Sequence, residues 1–549
     1  YVTKGDGFYK DGSYLYHDIF PYNAGYGSSM FENILNILYL LNGTKWEVKD
    51  PEVNNMYRWV YDSFEPIIYK GAAMDMMRGR RVTNVDSHDH ENGHDLIERI
   101  ARLAQIAPQE DALAYKRMIK YWLQADTYEK YTDNVSLYSL KLVKDILNDP
   151  AITPREELIM HKQYSAVDRV VHLRPGFGFG LSMCSKRIGG FESINGNNLK
   201  GWHTGEGMTY LYNNDLGQYS GTFWATLNPY RIPGTTVDAE KVRKNGVPQG
   251  GQNVKFAGGT DILGLYGVSG MELNNFNTKL TAKKSWFMFD DEIVALGSDI
   301  NSKEGRTIET IVENRKLNEK GSNTFTVNGK AKPSKIGWSE TMSKVSWAHL
   351  AGSVAGSDIG YFFPGTATVK GLRETRTGTW KDVNLEGTTT PNTDRYLTMW
   401  FDHGKSPKNK AYSYVILPNK TAAELSKYAA KPNITIVENS TDAHAVKENT
   451  LNITGVNFWN DKVKTVGIVK CDKMASVMIK ESANDIEISV SDPTQLNKGT
   501  INIEIKKPAK AKISADPGVA VTQLGSTIKL SINVKDSLGR PFKAKFSLK

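Results

Sequence analysis

The chain is 549 residues long, more than one ordinary hydrophobic core accommodates, so several domains are expected. Its 69 Lys and Arg against 60 Asp and Glu leave a net charge of +9, and with 23% charged and 40% apolar residues it is a folded globular chain, which excludes wholesale disorder. No run of about 18 apolar residues occurs, so there is no transmembrane helix and no membrane partner to explain, and two cysteines, Cys184 and Cys471, exclude a disulfide framework or a cysteine-based zinc site.

The first third reads as helical. Phe31, Ile34, Leu35 and Leu38 fall at i, i+3, i+4 and i+7 ahead of the Asn42-Gly43 stop. Leu96, Ile100, Leu103 and Ala107 form a second stripe, ended by Pro108. Tyr115, Met118, Ile119 and Trp122 form a third, and Leu140, Val143 and Leu147 a fourth that stops before Pro150. From about residue 165 the period changes to two: Ile486, Ile488 and Val490, then Ile501, Ile503 and Ile505, then Ile528, Leu530, Ile532 and Val534 alternate with other residues as in half-buried strands. Asn328-Gly329 marks a hairpin, and lysines between 506 and 512 discourage edge pairing. Helices first and strands afterwards predict segregated domains rather than a parallel α/β sheet.

Three clusters carry possible chemistry. HDHENGH brings Asp86, His88, Asp89, His90 and His94 within nine positions. Zinc on His88, His90 and His94 is conceivable, but His88 and His90 cannot share a helical face and HExxH is absent, so a polar loop capping the helix near Leu96 is the favoured reading. Asp290, Asp291 and Glu292 offer hard oxygens for half a calcium site, or an acidic turn before Ile293–Leu296; spacing alone favours the turn. His17 and Tyr26 lie in an aromatic, glycine-rich segment suited to stacking on sugar rings, and Arg78, Arg80 and Arg81 offer planar donors for a carboxylate. The positive balance suits a polyanionic partner without choosing one.

Five stretches, DGSYLYHDIFPYNAGYG, YKGAAMDMMRGR, RIGGFESINGNNLKGWHTGEGMTYLYNND, NPYRIPGTT and KSWFMFDDEIVALGS, resemble polysaccharide lyase family 8, the family of hyaluronate, chondroitin AC and xanthan lyases. Later segments such as MWFDHG and VSDPTQLNKGTINIEI look most like its xanthan lyase branch. The resemblance implies an α+β multidomain fold: the C-terminal part of an incomplete α/α toroid over residues 1–165, a central antiparallel β-sandwich domain over 166–435 and a C-terminal β-domain over 436–549. It also implies a secreted bacterial enzyme acting by β-elimination on an anionic polysaccharide, with no organic cofactor and no nucleic-acid partner.

Carried over motif by motif, the resemblance makes Tyr26 the acid and base, His17 the group that meets the uronate carboxylate, Arg80 the cation beside the phenol and Glu192 the carboxylate that orients them. Asn195 becomes a substrate or scaffold contact. The acidic triplet is re-weighted towards structural calcium, held by Asp290, Asp291, Glu292 and Glu448. Two departures from the family pattern stand out. The family's catalytic Asn and paired tryptophans lie upstream of its histidine, and this chain starts at Tyr1, so the expectation is either that a separate N-terminal fragment of the same enzyme completes the toroid or that this piece is inactive alone. The positions that read pyruvate on the terminal mannose in the xanthan branch are Asn84, Asp86 and Glu386 here, so that readout is not expected to operate. Release of mannose from xanthan is the leading expectation; hyaluronate or chondroitin cleavage, or glycan binding without turnover, are the alternatives.

Overall fold

A computed structural model describes residues 1–549 except Asp86, Asp133 and Asn134. The four apolar stripes form helices Ser28–Leu41, Asp89–Leu103, Gln109–Ala125 and Leu137–Asn148. Their ends follow local chemistry. His88 caps the second helix in a capping box, its backbone N–H donating to Glu91 at 2.7 Å, with Asp89 and Glu91 complementing the helix dipole. Ser136 caps the fourth by accepting from the Ser139 N–H. Each helix buries one face: Phe31, Leu35 and Leu38 on the first, Tyr115, Met118, Ile119 and Trp122 on the third. No helix among the described residues is long and apolar enough to cross a membrane.

The β region opens with a four-stranded antiparallel sheet containing Met160–Tyr164, Arg169–Arg174, Phe177–Ser182 and Met208–Tyr212. A 12-stranded antiparallel sheet follows, running from Thr236–Asp238 at one edge to Ala257–Ile262 at the other. Within it Asn328-Gly329 forms the expected two-residue hairpin, both residues at positive φ (47° and 80°), joining Phe325–Val327 to Lys330–Ala331. From Ile434 onwards, sheets of seven and five strands face each other around Ile486, Ile488, Ile501, Ile503, Ile528 and Leu530. The period-two stripes of the sequence are therefore the facing surfaces of one sandwich.

Two shared cores hold these layers in fixed relation. The helical core continues without a break into Tyr164, Tyr210, Trp224, Trp380 and Tyr396 of the β region. Another cluster joins Val268, Phe287, Phe289 and Val294 of the large sheet to Ile434, Val446, Ile453 and Met478 of the C-terminal sandwich. Burial of side chains this large stabilises by about 1.5–3 kcal/mol each, which makes both junctions rigid and lets side chains from separate domains build one site.

Candidate active site

The site is assembled from three loops. A small three-stranded sheet, absent from the helical sequence pattern, presents His17 in the turn between Tyr14–Tyr16 and Phe20–Pro21. His17 and Asp18 both take left-handed backbone angles (φ 51° and 64°), a strained arrangement for side-chain-bearing residues. Tyr26 follows on a single π-helical turn, Asn23–Gly27, that runs directly into helix Ser28–Leu41; such turns are frequent at functional sites. Arg80 comes from the short helical turn Gly79–Thr83.

Glu192 ties the three together. Its side chain is only 1% exposed. Oε1 faces His17 Nδ1 at 2.5 Å, and Oε2 accepts from Arg80 Nη1 at 2.6 Å and from the Tyr22 hydroxyl. Arg80 then donates through Nη2 to Tyr26 Oη at 2.7 Å. One carboxylate thus orients the imidazole on one side and, through a guanidinium, the phenol on the other. With Nδ1 turned to Glu192, Nε2 is the ring atom left to face a ligand, and the His17 side chain is 40% exposed. Tyr26 stacks on Tyr16 at 3.8 Å between ring centroids, lies 6.1 Å from the His17 ring, and has the Arg81 guanidinium 5.1 Å from its ring centre.

Tyr22 is the component that sequence reasoning missed. It is fully buried, and its hydroxyl receives both the backbone N–H and Nη1 of Arg80, each at 3.0 Å, while donating to Glu192. Burial first, then the Glu192 charge, pushes its phenol far above the usual range, so it stays a neutral strut. Burial works against the Arg80 cation, but Tyr22, Glu192 and Tyr26 outweigh it and hold the guanidinium charged. No local signal singles it out: Tyr22 stands four positions before Tyr26 with its ring 5.0 Å from that ring, and only burial beneath Arg80 separates their roles. Gly79 shows how tightly this strut is enclosed: its φ is +59°, and a Cβ there would lie 2.1 Å from the Tyr22 ring.

Other expected residues divide. Arg78, grouped with Arg80 and Arg81 as a carboxylate reader, is buried and paired with Asp75 at 2.5 Å, so it is framework. Asn195 is exposed, in a left-handed turn, and Asn84 and Glu386 are brought to the same rim. Thr83 accepts from Asn384 through its carbonyl and from the Asn198 N–H through Oγ1, both at 2.9 Å, and Leu385 N donates to Gly196 O at 2.9 Å. Asp86 lies outside the described residues. His203, Arg373 and Arg376 hydrogen-bond to Glu206, to the Gly321 and Asn323 carbonyls and to Glu374, respectively.

For calcium the donors fall into two pairs. Glu292 and Glu448 are both buried, and Glu292 Oε1 has no hydrogen-bond partner. Burial, then the Glu448 and Asp291 charges, pushes Glu292 up to about 7. A buried, unsatisfied carboxylate beside a second one fits a hard cation. Asp290 and Asp291 are half-exposed and carry Arg174 and Lys420 instead, each at 3.0 Å, so they would have to turn to contribute. In the histidine cluster His88 caps the helix as expected, whereas His90 and His94 both reach Asp126, a residue outside the motif.

Three family models match in chain order: the polysaccharide lyase family 8 N-terminal alpha-helical domain over residues 1–121, the super-sandwich domain over 159–429 and the C-terminal beta-sandwich domain over 435–501. The chain is 49% identical to a xanthan lyase of Bacillus sp. (strain GL1) over its whole length, spanning 59% of that protein, and 36% identical to a hyaluronate lyase of Thermasporomyces composti, spanning 70%. The solved Paenibacillus xanthan lyase superposes with a TM-score of 0.98 at 54% identity, covering all of this chain and 53% of that one. The Streptomyces coelicolor A3 chondroitin AC lyase solved with chondroitin sulphate gives 0.91 at 32%, covering 72% of that chain. In sequence, domain order and fold, the chain belongs to polysaccharide lyase family 8.

Proposed function

We propose that the protein is a carbon–oxygen lyase that cleaves a uronate-linked glycosidic bond by β-elimination, and that it releases terminal mannose from the glucuronate of xanthan side chains. The observation that carries this is the Arg80 guanidinium, fixed by Glu192 and donating to Tyr26 Oη at 2.7 Å. A general base has to be held within reach of the proton it takes, with its oxygen met by a fixed donor. Arg80 is that donor. The Tyr26 phenolate takes the C5 proton of the uronate, the C5 electron pair forms the C4–C5 double bond, and the C4–O bond breaks. Tyr26 returns its proton to the departing oxygen on the same face. Negative charge grows on the uronate carboxylate during this step, and His17 Nε2 is the group turned to meet it.

The second reading concerns the substrate: Asn84 and Glu386 carry no positive charge of their own, although Arg81 and Lys381 lie beside Tyr26 and Leu385, and this favours a non-pyruvylated mannose or a glycosaminoglycan over pyruvylated mannose. Calcium on Glu292 and Glu448, joined by Asp290 and Asp291, would neutralise buried carboxylates and brace the junction of the central and C-terminal domains. The protein, incubated with xanthan, depyruvylated xanthan, hyaluronan and chondroitin, tests the reading through the ultraviolet absorbance of unsaturated uronate. Polymer binding without absorbance on any substrate would overturn it.

A further inference from the structure

We propose that His90, His94 and Asp126 form a second metal site, for a divalent transition ion of the zinc type, that pins the 126–131 segment to the helical domain and to the β region. Among the described residues these are the one group of three or more His, Cys, Asp or Glu side chains whose possible ligand atoms all lie within 4.8 Å of one another. His90 and His94 stand at i and i+4 on helix Asp89–Leu103 and so share a face. Asp126 follows helix Gln109–Ala125 and turns its Oδ2 towards both, 2.7 Å from His90 Nδ1 and 2.9 Å from His94 Nε2. The three side chains are almost fully enclosed, at 0%, 7% and 1% exposure.

The surroundings support ligation. The other His90 nitrogen, Nε2, donates to the Leu216 carbonyl at 3.2 Å, which fixes Nδ1 as the atom aimed at Asp126; metal-bound histidines are ordinarily held this way by their second nitrogen. Asp126 Oδ1 accepts from the Tyr128 and Glu129 backbone N–H groups at 3.0 and 3.1 Å, which leaves Oδ2 to the cluster. Gly71 lets the backbone pass close against this carboxylate, since a Cβ there would lie 2.2 Å from Oδ2. Tetrahedral donors about 2.1 Å from one ion stand roughly 3.4 Å apart, so the observed pairs need to open by about 0.5–0.7 Å. Two imidazoles and one carboxylate suit zinc, cobalt or nickel and not calcium, and water would complete the four. Thr127, Tyr128 and Leu216, next to the cluster in sequence or in contact with it, line an open cavity of about 810 Å³.

The experiment uses the full chain, stripped by chelator and titrated with zinc by calorimetry, with metal content and thermal unfolding followed in parallel. One zinc per chain is expected, with a rise in Tm, no displacement by excess calcium, and at least tenfold weaker binding in both His94→Gln and Asp126→Asn. His349→Gln, at a histidine paired with Asp358 outside the cluster, should bind as the parent does. Should either cluster variant fail to fold, the cobalt-substituted parent decides: a four-coordinate ligand-field spectrum supports the site, and its absence overturns it. No stoichiometric binding by the parent, or unchanged affinity in folded His94→Gln, also overturns the proposal and makes the cluster a hydrogen-bonded clamp.

Discussion

Replacing Glu192 by Gln keeps the size of the side chain but removes its charge and one of its two acceptor oxygens. In the better orientation the amide oxygen stays where Oε2 is and still accepts from Tyr22 and Arg80, while the amide nitrogen is turned towards His17 Nδ1. Arg80, with a side chain 12% exposed, loses its charged partner, and a hydrogen bond between charged groups contributes about 1.5–3 kcal/mol. The His17 contact is discounted because that ring is 40% exposed. A destabilisation of about 2–4 kcal/mol is expected in urea unfolding. The larger effect should fall on turnover, since a misplacement of about 1 Å at reacting groups costs on the order of 10²-fold. The assay is uronate absorbance under saturating and limiting polysaccharide, and the expected result is kcat down about 10²-fold with KM within threefold. A stable variant with kcat within threefold of the parent would refute the idea that Glu192 positions both His17 and Arg80; a loss confined to KM would move its role to substrate binding.

Tyr26→Phe should leave urea stability within about 1 kcal/mol, because the ring is half-buried and its stacking survives, while kcat falls by about 10²–10⁴-fold; substantial residual activity would remove Tyr26 from the reaction. Gly79→Ala should destabilise by at least 1–3 kcal/mol from the left-handed backbone alone, and the Cβ directed at Tyr22 should also depress turnover; near-parent Tm and activity would mean that the strut is not needed. Glu292 has a folded pKa raised to about 7 from 4.5, so its proton stabilises the fold below about pH 4.5 and that contribution is lost as pH rises through 7. In chelator, stability should fall across this window by on the order of 3 kcal/mol at most, and calcium should abolish the loss by replacing the proton. A flat pH profile in chelator, or no response to calcium, would count against the cation.

Much of the fold was legible because its signals are local. The helix stripes ended at Asn42-Gly43, Pro108 and Pro150, close to where the helices stop, and the isoleucine alternation of residues 486–532 named the facing surfaces of the C-terminal sandwich. The site was legible only through motifs that resemble a family. Spacing suggested that Arg78, Arg80 and Arg81 act together, yet Arg78 turns inward to Asp75 while Arg80 turns to the phenol, a division set by packing around Gly79. Spacing also favoured reading the histidine stretch as a capping loop, which holds for His88 but not for His90 and His94, because their partner Asp126 lies 36 and 32 positions away.

The sequence by itself determined the four long helices, the strands of the C-terminal sandwich and which side chains could do acid–base chemistry, since period, caps and turn residues act over a few positions; it showed neither the small sheet that carries His17 nor the stop of the second helix at Leu103. Only the tertiary structure decided which of those side chains meet. Glu192 joins His17 across 175 positions and Arg80 across 112, and Tyr22 enters the site through burial rather than through any motif. Contacts of that range depend on the shared core between the helical and β layers, where each large side chain fixes the approach of its neighbours, and no local pattern encodes that approach.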